Sequence, residues 1–170
     1  MKKFLKISQK GTSLIELLLY FALLTIILII ATDLMIHSGE FSMEASAQNV
    51  TQEDARFITN RLAYDIHQAS AITSPASLGQ TSFTLILTVG TETHTYTLTS
   101  NNLEYRKTVG SNTQTANLNS NLTKINSLIF QRLGSTSGKP TVKITFEIED
   151  LKGTKGKPVK KTFETVVGVR

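Results

Sequence analysis

A long apolar run directly behind a basic head constrains this chain of 170 residues more than any other feature. Leu17–Thr32 contains no charged residue, and Lys2, Lys3, Lys6 and Lys10 precede it without an accompanying acid. About 20 apolar residues are needed for a helix to cross a bilayer, and the run approaches that length if the helix begins a few residues earlier. We therefore predict one membrane span. Because basic flanks stay in the cytoplasm, the rest of the chain is expected outside it.

The charge and cysteine content exclude two classes of protein. The net charge of +5 falls to +1 without the first eleven residues, because four of the eighteen basic residues lie there. The remainder is not a generally basic nucleic-acid binder. With no cysteine, the chain has neither a disulfide framework nor a thiolate zinc site.

Glu16 interrupts the apolar character near the start of the predicted span. A carboxylate inside a spanning helix costs about 2.5–3.5 kcal/mol on insertion scales. Two interpretations remain open: Glu16 is hydrated at the headgroup boundary, or an opposite charge neutralises it. No convincing small-x-small cleavage site follows the run, and the helical pattern continues beyond it, so an ordinary, removed signal peptide is not favoured.

The residues Lys10-Gly11-Thr12-Ser13-Leu14-Ile15-Glu16 resemble the processing signal of type IV prepilins and type II secretion pseudopilins, a bacterial family. The resemblance implies that a prepilin peptidase cuts between Gly11 and Thr12 and that the new terminus at Thr12 is N-methylated. It also implies that Glu16 pairs with the α-amino group of a neighbouring subunit during filament assembly. The family usually has Phe or Met where this chain has Thr12. Its major pilins commonly carry Pro and Gly within the apolar helix, which are absent here. The absence of this proline and glycine favours a minor pilin or a pseudopilin.

The order of patterns predicts an α+β chain in which a long N-terminal helix, membrane-spanning in its first half, packs on an antiparallel β-sheet, and this is the order of the pilin fold. With the leader that the resemblance implies at 1–11, the expected parts are a transmembrane helix at 12–32, a soluble continuation of the helix at 33–71 and an antiparallel β domain at 72–170. No proline precedes Pro75, so one helix from Thr12 to Ser70 is allowed, with a bend most favoured at Gly39. A stripe at helical spacing is predicted to pack on the sheet: Ala55, Ile58, Leu62, Ile66 and Ala69. A coiled-coil partner is the alternative. A solvated face is predicted for Glu53, Asp54, Arg56, Arg61 and Asp65.

The second half of the chain alternates apolar and polar residues, which predicts strands. Three of them form a meander: Phe83–Val89, a strand containing Tyr96 and Leu98, and Leu103–Val109. Turns are expected at Gly90-Thr91 and at Ser100-Asn101-Asn102. Gly110–Asn121 is interpreted as a polar loop, and Leu122–Leu133 has no clear period. Two later strands are predicted around Val142–Glu149 and Val159–Val169, joined by a loop at Asp150–Pro158.

The sequence contains no catalytic motif that we recognise, so we expect no enzyme activity and no cofactor. The histidines, His37, His67 and His94, lack metal-ligand spacing, and each is interpreted as a surface or boundary residue. Ser111–Thr123 is rich in side-chain oxygens but has no acid, so calcium binding there is expected to be poor. We therefore predict no metal site.

The basic cluster outside the leader lies on a predicted hairpin tip and comprises Lys152, Lys155, Lys157, Lys160 and Lys161. It could contact phosphates of an anionic ligand such as DNA, since some pilins serve DNA uptake. No aromatic side chain interleaves these lysines for base stacking. A solvated turn that protects a sheet edge is therefore the favoured interpretation.

Together these patterns lead us to expect a structural subunit that assembles into a type IV pilus or a type II secretion-like filament after leader cleavage. Its expected partners are the prepilin peptidase, other pilin or pseudopilin subunits through the N-terminal helix, and the lipid bilayer before assembly. The expected location is the cytoplasmic membrane, with the β domain extracytoplasmic, and then a filament at the cell surface or in the periplasm. The alternative is a permanently signal-anchored extracytoplasmic binding module.

Overall fold

The computed structural model describes residues 13–134, 138–151 and 158–170. It divides into two compact units, with the boundary between Ser42 and Met43. The first unit is helical in its described part, and the second contains the remainder of the helix and the strands of the described ranges.

Helix α1 runs from Leu14 to Gln68, 55 residues, which confirms the predicted long N-terminal helix. Gly39 lies within it and does not end it. The predicted stripe is also confirmed: Ala55, Ile58, Leu62, Ile66 and Ala69 are all at most 3% exposed and belong to the hydrophobic core. Because the first four recur every three or four positions of α1, they share one side of the helix, and that side packs on the strands. Ala69 directly follows the helix and continues the buried stripe.

Nine strands follow the helix within the described ranges, and all their pairings are antiparallel. Their bounds are β1 Ala71–Ser74, β2 Thr81–Ser82, β3 Thr84–Val89, β4 Glu92–Thr99, β5 Asn102–Val109, β6 Asn112–Asn117, β7 Thr123–Leu133, β8 Thr141–Asp150 and β9 Lys160–Gly168. They form two sheets rather than the single sheet expected from the sequence. Sheet A has the order β1-β3-β4-β5-β6, and sheet B has the order β2-β7-β8-β9.

The predicted meander is confirmed as β3, β4 and β5. Ser100 and Asn101 form the two-residue turn between β4 and β5, with φ angles of 50° and 64°. Two successive positive φ angles match the right-handed twist of a hairpin, and a short polar residue such as Asn tolerates them. Phe83 is an exception to the predicted alternation: it lies outside β3 and is 73% exposed.

The interpretation of Gly110–Asn121 as a loop was wrong, because Asn112–Asn117 forms strand β6 at the edge of sheet A. All six of its side chains are exposed. A strand that buries neither face has no apolar alternation, so the sequence period could not reveal it. The short strands β1 and β2 were missed as well.

Sheet B supplies much of the core. Val142, Ile144, Phe146 and Ile148 on β8 are fully buried, as their alternation predicted. They join Leu85, Leu87, Tyr96 and Leu103 of sheet A and the buried stripe of α1 in one hydrophobic core. Helix and sheets therefore stabilise one another within the second unit.

Candidate functional site: the apolar helix and the buried polar network

The N-terminal part of α1 presents its apolar side chains to the surroundings. Large apolar residues from Leu14 to Ile36 are between 54% and 79% exposed. The helix is long and apolar enough to cross a membrane, a property that an N-terminal signal sequence shares. Within the described residues up to Thr32, Glu16 is the only charged side chain. It lies in the first turn of α1.

Each polar side chain of this segment has a partner inside the helix. The Tyr20 hydroxyl, one turn after Glu16, donates to Glu16 Oε1 at 3.0 Å. The hydroxyls of Thr25 and Thr32 donate to the carbonyls of Phe21 and Leu28, each at 2.8 Å. Polar groups that are satisfied within a helix lower the cost of placing it in lipid. These bonds satisfy the Tyr20, Thr25 and Thr32 hydroxyls within the helix, and they give Glu16 one hydrogen-bond donor.

Gly11 and Thr12, the predicted cleavage and N-methylation positions, lie outside the described residues. The first described residue is Ser13, whose carbonyl accepts a hydrogen bond from the Leu17 amide at 3.2 Å at the start of the helix.

The basic cluster is only partly described, because Lys152, Lys155 and Lys157 also lie outside the described ranges. Lys160 and Lys161 begin strand β9. Lys160 Nζ is 3.3 Å from Glu149 Oε2, and Glu149 also pairs with Lys124 at 3.1 Å. The Asn126 amide donates to the same carboxylate at 2.6 Å, and this bond, aided by the two lysines, lowers the pKa of Glu149. Lys160 is thus paired with an acid of the domain itself.

Sheet A and α1 enclose a polar network that the sequence analysis missed. Asp65 is 1% exposed and His94 is 4% exposed. Asp65 Oδ2 accepts a short hydrogen bond from the Tyr96 hydroxyl, lies 3.0 Å from His94 Nδ1 and is 3.3 Å from the Arg61 guanidinium. The prediction of a solvated face was therefore wrong for Asp65, and the surface interpretation was wrong for His94.

Further groups extend this network toward the surface. Glu92 Oε2 lies 3.2 Å from His94 Nε2 and 2.7 Å from Lys107 Nζ. The Lys107 hydrogen bond, followed by that of His94, lowers the pKa of Glu92. Arg61 donates to the Tyr105 hydroxyl at 2.9 Å and lies over its ring, 4.7 Å from the centroid. Burial, reinforced by the Asp65 carboxylate, raises the pKa of Tyr96. The network joins the helix to strands β4 and β5.

One signal could have located the network. Asp65 lies between Leu62 and Ile66 on the stripe that packs inward, and His94 shares the strand period of Tyr96 and Leu98. A polar residue in phase with a buried face needs a buried partner. What the sequence could not show is that these two residues, 29 positions apart, meet.

The other histidines are exposed, as expected. His67 Nδ1 is 2.8 Å from the Gly168 carbonyl, and His37 Nδ1 is 2.9 Å from the Asp33 carbonyl. Across the described ranges, no three His, Asp or Glu side chains gather in a way that could hold a metal ion.

A second helix acid anchors the segment after β6. Asp54 Oδ2 accepts hydrogen bonds from the Ser120 amide at 3.0 Å, the Ser120 hydroxyl at 2.7 Å and the Thr123 hydroxyl at 2.5 Å. Asp54 was expected on the solvated face but is only partly exposed. Its carboxylate holds this segment against α1.

Comparison with known proteins gives no relative: no family model, no curated protein and no solved structure matches this chain.

Proposed function

We propose that this chain is the precursor of a minor pilin or pseudopilin, a structural subunit that assembles into a type IV pilus or a type II secretion-like filament once the leader is removed after Gly11. One observation carries the proposal. The prepilin-like residues Lys10–Glu16 lead directly into an exposed apolar helix in which Glu16 is the single charge before Asp33.

The bilayer is the proposed environment of the helix before assembly. In this topology the basic head is cytoplasmic and the β domain is extracytoplasmic. The Tyr20 hydroxyl would serve as the donor to Glu16 within the isolated subunit. In the filament, the α-amino group of Thr12 from a neighbouring subunit would replace Tyr20 as the donor to Glu16. An amine with the opposite charge offsets the cost of the carboxylate better than a neutral hydroxyl does.

The proposed role of the β domain is structural. Asp65 and His94 are almost entirely shielded from solvent, and their hydrogen bonds connect elements of the fold. A substrate would have to displace these bonds to reach either side chain. The proposed partners are the prepilin peptidase and other subunits that contact the N-terminal helix.

The variant Glu16→Ala tests the assembly step. It removes the only charge of the apolar segment, so membrane insertion should be unchanged or improved, whereas incorporation into filaments should fall strongly. The matched control is Thr32→Ala, which deletes a polar group already bonded to the Leu28 carbonyl of the same helix. The measurement compares membrane-inserted and filament-incorporated protein in cells that contain the assembly machinery. Normal incorporation of Glu16→Ala would contradict the pairing role.

A further inference from the structure

Four strands form the edges of the two sheets in the described part of the chain: β1, β6, β2 and β9. Exposed edges can pair with other chains, so native proteins shorten, bend or charge them. Strand β1 has four residues and a register shift, and β2 has two residues. Strand β9 carries Lys160, Lys161 and Glu164. Three of these edges are thus protected against pairing.

Strand β6 has none of these protections. Its sequence, Asn-Thr-Gln-Thr-Ala-Asn, contains no charge and no proline. Its six residues pair with β5 in continuous register, without a bulge. All six side chains are exposed, so neither face of the strand is covered within the chain. On its open side, alternate residues direct their backbone N–H and C=O groups outward.

The charges nearest to β6 are already paired. On the adjacent strand β5, Arg106 is 2.8 Å from Glu104, and Lys107 is 2.7 Å from Glu92. A strand that approaches this edge therefore meets a neutral surface. Main-chain hydrogen bonds and uncharged cross-strand pairs would supply the attraction.

We propose that β6 is a strand-addition surface and that its occupant is β6 of a second copy of this chain, paired antiparallel. The strand fits itself: no arrangement of its six residues sets like charges opposite each other, and Thr, Asn and Gln form favourable cross-strand pairs. The β9 edge lacks this property, because a twofold antiparallel pair centred on its middle residue would set Glu164 opposite its own copy.

Symmetry restricts the register of this pair. Neighbouring residue pairs in an antiparallel ladder alternate between two hydrogen-bonding types. In a pair with twofold symmetry, the central residue must therefore lie opposite its own copy in the partner strand. The two middle residues of β6, Gln114 and Thr115, are the candidates for this central position. Such a pair is closed, so it joins two chains and does not propagate. This inference does not depend on the filament proposal.

Because the chain contains no cysteine, single substitutions give a clean test. The variants Gln114→Cys and Thr115→Cys, each in the full-length chain in detergent, are oxidised and analysed for disulfide-linked dimers. Directly opposed strand residues have Cα atoms about 4.5–5.5 Å apart, which suits a disulfide. The control is Thr162→Cys, an exposed position on β9. We expect dimers from at least one β6 position and few from Thr162→Cys. Equal dimer yields at all three positions would overturn the proposal.

A charge placed on β6 provides the second measurement. Thr115→Lys sets two lysines near the twofold axis and should raise the dimer dissociation constant roughly fivefold or more. Thr162→Lys, the same change on β9, should leave it unchanged. Both side chains are exposed, so circular dichroism should report a native fold for each variant. Dimerisation that withstands Thr115→Lys, or an absence of dimers from the unsubstituted chain, would contradict pairing through β6.

Discussion

Replacement of Asp65 by leucine should destabilise the β domain strongly. The carboxylate is 1% exposed, and it satisfies the Tyr96 hydroxyl, the ring of His94 and the Arg61 guanidinium. Leucine removes the acceptor that these three groups share. The Tyr96 hydroxyl and His94 Nδ1 then lose their carboxylate partner in the interior, whereas Arg61 keeps its hydrogen bond to Tyr105 and His94 Nε2 keeps Glu92. Removal of one partner from a buried pair costs about 3–5 kcal/mol. The Arg61 side chain is 34% exposed, so solvent screens its share, and the buried groups carry most of the loss.

Thermal unfolding of the full-length chain in detergent, followed by near-ultraviolet circular dichroism, measures this loss. For a protein of this size, each kcal/mol lowers the midpoint by about 2–4 °C, so a decrease on the order of 10 °C is expected. Glu53→Leu is the matched control, because Glu53 is an exposed acid on the same helix. Its midpoint should change by no more than a degree or two. Equal midpoints for the two variants would refute the assignment of Asp65 as the centre of the network.

Three further predictions concern Tyr20, acid sensitivity and the Asp54 anchor. Tyr20→Phe should lower the membrane-inserted fraction when Glu16 is present but raise it in a Glu16→Ala background, because the Tyr20 hydroxyl favours insertion only as a hydrogen-bond donor to Glu16. A change of the inserted fraction in the same direction in both backgrounds would contradict this. The pKa values of Glu92 and Glu149 are lowered from 4.5, so the stability that these carboxylates contribute is complete above about pH 4.5 and is lost as the pH falls through their folded values. Thermal unfolding midpoints should therefore fall as the pH is lowered. They should fall less steeply for Asn126→Ala, because this variant lacks the strongest hydrogen-bond donor to Glu149. The same pH dependence in both proteins would argue against that role of Asn126. Asp54→Ala should increase amide hydrogen exchange at Ser120, whose amide donates to Asp54, whereas exchange in β8 should not change.

Local patterns predicted those parts of the fold in which one side of an element is buried. The stripe from Ala55 to Ala69 has the helical period, and β8 has the strand period, because each has one face in the core. Ser100-Asn101 was predictable because a tight hairpin turn needs residues that accept positive φ angles. In each case the determinant lies within a few neighbouring residues.

The features that escaped prediction depend on distant contacts or on exposure to solvent. Strand β6 buries no side chain, so its composition resembles that of a loop. The division into two sheets depends on which strands pair, for example β2 with β7 across some fifty residues. The meeting of Asp65 with His94 likewise requires the helix to dock on β4. For the candidate site, the sequence supplied the motif at Gly11 and Glu16, whereas the Tyr20 hydrogen bond emerged from the structure.

Intact mass spectrometry of the chain, produced with and without a prepilin peptidase, tests the central proposal most directly. We predict that the peptidase removes Met1–Gly11, that a Gly11→Val substitution blocks the cut, and that N-methylation adds one methyl group to the Thr12 terminus. If the chain keeps its leader while the same peptidase cleaves a known prepilin in parallel, the chain is not a prepilin. The helix would then be a permanent anchor for an extracytoplasmic binding module.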